Sequence, residues 1–245
     1  MAKYLLSLFV LTFLSCAPFQ EPSAGGLIEK TIAAHGWQGK KPALISFDFR
    51  AHHYEILRDS KGIAFSRATL APKDSLVDRW VNYKGFTRRR MGAPVAVTDS
   101  MQNVYAQSIN SVVYFMQLPL GLQDPAVVAS HEGTTDIGGQ SYEVLKIGFK
   151  EQGGGEDFQD AFYYWIHAQD FTIDFMAYSY QTNGGGTRFR VAKNAQTKAG
   201  FRFQDYDNYK PEKHPTALDS LPYLWEAGQL EFLSAIESEN MKLVL

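Results

Sequence analysis

The chain reads as a mainly antiparallel β domain of the α+β class, with helices laid over its strands. From residue 43 onward, apolar and polar residues alternate with a period of two, as half-buried strands require. The links between these stretches are rich in Gly, Asn and Asp and hold no regular helices, which favours antiparallel pairing over crossovers. One region, residues 99–118, breaks the alternation with apolar residues three and four apart, which predicts a single long helix.

The N-terminal residues come before any fold. Lys3 opens an eleven-residue, largely apolar run over residues 4–14, and Cys16 follows directly. A basic start, a short apolar stretch and a small-residue exit describe a secretory signal. The run is too short to span a bilayer, which takes about 20 apolar residues. Phe13-Leu14-Ser15-Cys16 resembles a lipobox, with Ser15 as the small residue before the cut, although Phe13 and Leu14 depart from the usual pattern. Residues 1–16 are therefore expected to be a lipoprotein signal with Cys16 as the lipidation site. Ala17-Pro18 lacks the aspartate associated with inner-membrane retention, which favours the outer membrane, facing the periplasm.

Cys16 is the sole cysteine, so the mature domain has no disulfide and must be held by its own core. The 245-residue chain, 45% hydrophobic and 20% charged, has the composition of a globular protein. Its net charge of −2 argues against a nucleic-acid partner, which would want a basic surface. Residues 17–26, with two prolines and two glycines, predict a flexible tether, and residues 27–245 a single domain.

Within that domain, Leu27, Ile28, Ile32 and Ala33 predict a short helix over residues 27–35, stopped by Gly36. Ile45, Phe47 and Phe49 alternate with Ser46, Asp48 and Arg50, and the pattern runs on through Tyr54 and Ile56. Asp59-Ser60-Lys61-Gly62 then turns the chain into a hairpin. Residues 74–90 predict a third strand region. The helix over 99–118 follows a cap at residues 98–100, and Asp124-Pro125 predicts a second, short one. Strands are expected at 141–149, 161–167, 173–181, 187–193 and 201–209. Residues 221–236 read as partly helical, and residues 239–245 as a last strand.

Catalytic signatures are absent from the sequence. Gly139-Gln140-Ser141-Tyr142-Glu143 fails the nucleophile-elbow pattern at its last position, and His131-Glu132 does not continue into a zinc-protease motif. Neither Gly153-Gly154-Gly155 nor Gly184-Gly185-Gly186 continues into a phosphate-binding loop, so both read as turns. On a strand, His53 and Glu55 would share a face and could hold a metal only with help from His131 or His167. Half-buried strand histidines more often serve packing, and Asp170 and Asp174 near His167 suit a turn. No catalytic set, metal or cofactor is therefore predicted. Thr87-Arg88-Arg89-Arg90 suits either a solvated strand end or phospholipid headgroups.

The aromatics carry the stronger signal. Seventeen Phe, thirteen Tyr and four Trp make up 14% of the chain, concentrated on the predicted strands as in Phe162-Tyr163-Tyr164-Trp165. Such strands have no plainly polar face, so their sheet needs two covers, or one cover and a ligand. One face could line a cavity lidded by the helix over 99–118, with tyrosine hydroxyls supplying the polar contacts, or form a large solid core. Val112, Tyr114, Phe115 and Met116 on the helix, with Tyr178 and Tyr180 on a strand, are the candidate ligand-binding residues.

Several stretches carry a family likeness: Ile45-Ser46-Phe47-Asp48-Phe49-Arg50, Asn110-Ser111-Val112-Val113-Tyr114-Phe115, Gly185-Gly186-Thr187-Arg188-Phe189-Arg190 and Asp205-Tyr206-Asp207-Asn208-Tyr209. Together with the order of elements they resemble an uncharacterised family of Gram-negative envelope lipoproteins, itself similar to the LolA/LolB/LppX-like lipoprotein-carrier superfamily. That resemblance implies a single strongly curved sheet, a half-barrel with helices on its concave side, holding a lipid or acyl chain. It transfers no catalytic residue. The expected role is non-catalytic binding of a hydrophobic ligand, with the membrane reached through the N-terminal lipid. An envelope hydrolase using His53, Glu55 or His167, and an interaction module with a solid core, are the alternatives.

Overall fold

The computed structural model describes residues 22–39, 41–71, 73–152, 159–181 and 184–245. Cys16, the signal segment and the first glycine triplet lie outside the described residues. The chain is mainly antiparallel β with covering helices, as the alternation predicts.

Helix α1 (Ala24–Ala34) begins on Ser23, whose hydroxyl accepts the Gly26 N–H. It takes in Ala24, Gly25 and Gly26, which the sequence reading assigned to the tether, because Ser23 caps a turn earlier than the first apolar residue shows. Gly36 ends it at φ 78°, where a Cβ would lie 1.8 Å from the Gly200 carbonyl oxygen.

The first sheet holds β1 (Leu44–Phe49), β2 (His52–Asp59), β3 (Gly62–Thr69), β4 (Leu76–Val81), β5 (Gly85–Arg90) and β6 (Ala93–Val95). The strand region expected over 74–90 is thus two strands, folded at the turn over residues 82–84. Its basic run is largely neutralised. Arg88 and Arg67 both pair with buried Asp78, Arg90 pairs with Asp74, and the Arg88 guanidinium lies 3.5 Å from the Tyr105 ring centre.

Helix α2 (Asp99–Met116), capped by Thr98, crosses this sheet. Ile109 and Val113 are its buried residues, whereas Val104 is exposed. No helix forms at Asp124-Pro125. Asp124 instead closes a turn, its carboxylate accepting the Ala126 N–H at 2.8 Å, after a single 3₁₀ turn at Leu120–Gln123.

The chain then enters a strand the sequence reading missed, β7 (Val127–Ile137), followed by β8 (Gln140–Phe149), β9 (Ala161–His167), β10 (Ile173–Tyr180), β11 (Gly186–Lys198) and β12 (Phe201–Pro211). A 3₁₀ turn at Leu218–Ser220 and helix α3 (Leu221–Glu226) lead to β13 (Leu230–Ile236) and β14 (Glu239–Val244).

The fourteen strands of the described residues do not form one continuous ladder. Two seven-stranded sheets run β14-β1-β2-β3-β4-β5-β6 and β13-β12-β11-β10-β9-β8-β7, with all neighbours antiparallel. The chain steps between them at Glu237 and Ser238, where the Asp205 carboxylate accepts the Ser238 N–H and β14 leaves β13 to pair with β1. Neither sheet closes on itself.

The second sheet carries aromatic and apolar residues on both faces, and each face packs against other elements. Trp165, Phe175, Ala177 and Phe189 pack beneath Leu218 and Leu221, with Trp225 alongside. Their neighbours in sequence, Tyr164, Ile166 and Met176, point the other way, into a core shared with the first sheet, α1 and α2. Among the described residues no helix is long and apolar enough to cross a membrane.

Candidate functional site

The inner face of the second sheet has a polarity gradient set by strand register. Directly opposite one another across six strands stand Leu145, Tyr164, Met176, Arg190, Asn208 and Ser234. The row is apolar on β8 to β10 and polar on β11 to β13. The next row passes through Ile147, Phe162, Tyr178 and Arg188.

Over this face, between α2 and the sheet, lies a cavity of about 720 Å³. That is within the roughly 300–1,000 Å³ of small-molecule sites. Val112, Tyr114, Phe115, Met116, Tyr178 and Tyr180, the six residues singled out from the sequence, all line it. Phe47, Phe49 and Arg50, from β1 and the turn after it, contribute a further side, and Phe149 and Phe162 add to the sheet wall.

The apolar end is built from rings in contact. Phe162 stacks on Tyr178 with centroids 5.5 Å apart, Phe149 meets Phe162 edge-on at 5.9 Å, and Phe115 reaches across from α2 to Tyr178 at 5.5 Å. The Tyr114 hydroxyl sits 3.4 Å from that of fully buried Tyr164. Burial raises the pKa of both phenols, so both stay protonated. Gly121 leaves room for the Tyr114 ring, whose edge would lie 2.8 Å from an added Cβ.

The polar end is built around Arg190. Its Nη2 donates to the Tyr178 hydroxyl at 2.8 Å, and its guanidinium lies 3.9 Å from the Phe115 ring centre. Gln204 donates to the Tyr206 hydroxyl at 2.9 Å, and burial pushes that phenol up to about 12. Arg188 donates in the same way to Tyr180 at 2.6 Å. Three buried side-chain polar atoms among the described residues have no hydrogen-bond partner: Trp37 Nε1, Arg190 Nε and Asn208 Oδ1. Two of the three belong to residues that line the cavity.

Sequence reasoning missed Arg190, Asn208, Gln204 and Tyr206. A signal was present for the first: Arg190 sits between Phe189 and Val191, in a strand whose neighbours are apolar on both faces.

Of the residues considered for catalysis, His53 and Glu55 stand together on the first sheet, apart from His131 and His167 on the second. His53, on the first sheet, hydrogen-bonds Asp48 at 2.6 Å, with Glu55 3.8 Å away. His131 pairs with Glu143 on the second sheet, while His167 lies beside Asp170 on the same sheet. Among the described residues no group of three or more His, Cys, Asp or Glu side chains is placed to hold a metal.

Comparisons place the chain among known proteins as follows. The model of a family described as "Family of unknown function (DUF6503)" matches residues 3–238. No curated protein matches. Among solved structures, the chain is similar to a LolA superfamily protein from Nitrosomonas europaea, at 12% identity and a TM-score of 0.47, covering 90% of this chain and 93% of that one. It is similar to a DUF1329 family protein from Desulfovibrio piger at 7% identity and a TM-score of 0.43, covering 91% and 94%. It is also similar to the lipoprotein LppX of Mycobacterium tuberculosis at 9% identity and a TM-score of 0.30, covering 66% of this chain and 90% of that one.

Proposed function

We propose that this chain, which belongs to the DUF6503 family of unknown function, is a lipid-anchored envelope protein that binds a hydrophobic ligand non-covalently. The ligand is a lipid or a single acyl chain, held between α2 and the inner face of the second sheet. The observation that carries this reading is the cavity of about 720 Å³ with an aromatic wall. Apolar surface left open to water at that scale favours an occupant, at about 25 cal/mol per Å² covered.

The anchor fits the ligand. Acyl chains on Cys16 would hold the domain at a bilayer, since two or more chains bind stably where one binds marginally. Residues between Cys16 and Ser23 would then serve as the tether. An outer-membrane position facing the periplasm belongs to the same proposal.

Native mass spectrometry of the full chain, extracted from membranes in mild detergent, tests the binding. A lipid-sized adduct that leaves under activation is expected, and a mass equal to the bare lipoprotein would overturn the reading. A Cys16→Ser variant should leave the membrane fraction; continued fractionation with membranes would overturn the anchor.

A further inference from the structure

Among the described residues, Arg190 is a buried cation with no counter-charge. The residue is 8% exposed, and among the described residues no carboxylate pairs with it. Its contacts are one phenol and two aromatic faces, while Nε has no acceptor. An uncompensated buried charge is among the costliest features a fold can carry. Directly opposite on β12 stands Asn208, 9% exposed, whose amide oxygen also has no partner. An Asn amide can be turned over to present its NH₂ in place of its oxygen. A guanidinium edge, a turnable amide and a phenol therefore converge at one end of a cavity whose other end is aromatic.

We infer that the ligand is an amphiphile with an anionic head, a fatty-acid carboxylate being its simplest form, seated with the head on Arg190 and Asn208 and the chain along Phe162, Tyr178 and Phe115. This rests on the reading of the cavity as a lipid site and adds the chemical class and the orientation. A carboxylate supplies the counter-charge that the Arg190 guanidinium, which lines the cavity, lacks among the described residues, and charge-assisted bonds of this kind are shorter and stronger than neutral ones. The Tyr178 hydroxyl, already accepting from Arg190, keeps its own proton free to donate to the same head. The register row explains the direction: polar side chains occupy β11 to β13 and apolar ones β8 to β10, so the chain runs toward β8.

The test uses the chain with Cys16→Ser, so that only added lipid is counted, and titrates palmitate, hexadecanol and acetate. Palmitate is expected to bind about tenfold tighter than hexadecanol, and acetate not measurably. Arg190→Met should bring palmitate down to the hexadecanol level and melt no lower than the parent when empty. Asn208→Asp, a near-isosteric change that places a carboxylate opposite Arg190, should erase the same preference. It serves as the test if Arg190→Met does not fold. Equal binding of palmitate and hexadecanol by the parent would overturn the anionic head while leaving the lipid cavity standing. Binding of neither would overturn the cavity reading and this inference with it. Acetate binding as tightly as palmitate would mark a small-anion site and overturn the amphiphile.

Discussion

Replacing Phe115 by Glu and, separately, by Lys measures the uncompensated charge inside the cavity. The Arg190 guanidinium lies 3.9 Å from the Phe115 ring centre, which is about where a Glu carboxylate or the stem of a Lys would sit. Both variants lose the same half-buried ring, worth about 1–2 kcal/mol, and both bring a charge out of water. Those losses are common to the two and cancel in the comparison. What remains is the sign of the interaction with Arg190. At about 4 Å and an effective dielectric near 20 it amounts to about 4 kcal/mol, favourable for Glu and unfavourable for Lys. Long side chains swing away from repulsion, so the expected gap is nearer one such interaction than two, about 4 kcal/mol. For a domain of this size that is about 8–16 °C between the two melting temperatures. Thermal unfolding by circular dichroism reads it directly, and the gap should narrow in concentrated salt less than a surface pair would. Phe115→Glu should also lose co-purifying lipid, because its own carboxylate occupies the head position. Equal melting temperatures for the two variants would refute the reasoning, since Arg190 would then already be neutralised or solvated.

Two further predictions concern the frame around the site. His35 is buried, and its Nε2 accepts the Ile173 N–H at 3.2 Å, which requires the neutral ring. Burial, helped by Arg202, lowers its pKa from 6.5 to about 3, so the unfolded chain takes up the proton first; stability from this group is full above pH 6.5 and is lost as pH falls toward 3. The loss by pH 5 is about 2 kcal/mol, and urea unfolding should show it in the parent but not in His35→Gln; identical pH slopes would count against it. Gly36→Ala should cost at least about 2 kcal/mol, because its φ of 78° is strained for Ala and its Cβ would meet the Gly200 carbonyl; an unchanged urea midpoint would show that the α1–β12 junction is not packed as described.

Local patterns made most of the fold legible, and distance along the chain made the rest illegible. Strands such as β1 and β2 announce themselves because each has one buried face, as Ile45, Phe47, Tyr54 and Ile56 show. Helix α2 is readable from its cap and its spacing, and the residues placed at its cavity end line the cavity. β7 escaped because it is an edge strand exposed at every second residue and interrupted at Gly133, so Val127, Val128 and Ala129 give way to polar residues. Asp124-Pro125 looked like a helix start because an Asp before a Pro serves equally well in a turn. The polar end of the cavity had no local signature. Arg190 meets Asn208 only because β11 and β12 pair in one register, and it meets Phe115 only because α2 crosses from 75 positions earlier in the chain.

The half-buried arginines argue that Arg190 is not merely a structural residue of an ordinary core. Arg67 and Arg88 share Asp78, whose carboxylate resists burial but is held below the usual range by hydrogen bonds from both guanidinium groups. Arg58 pairs with no carboxylate among the described residues, yet it donates to the Pro42 carbonyl and to the Gln117 side chain. Arg188 donates to its neighbour's carbonyl and to Tyr180. In each of these cases the fold supplies acceptors for the donors it buries, as cores generally do. At Arg190 it supplies aromatic faces and one phenol, and it places an equally unpaired Asn208 opposite. Met, Leu or Gln would fill that position without leaving a charge to compensate, and the neighbouring row positions, Met176 and Tyr164, show that the face accepts such side chains. A buried cation kept where an apolar residue would serve is explained when the missing acceptor arrives from outside. An anionic head entering with its chain completes the set, and the empty protein should then be less stable than its own Arg190→Met variant in the same buffer.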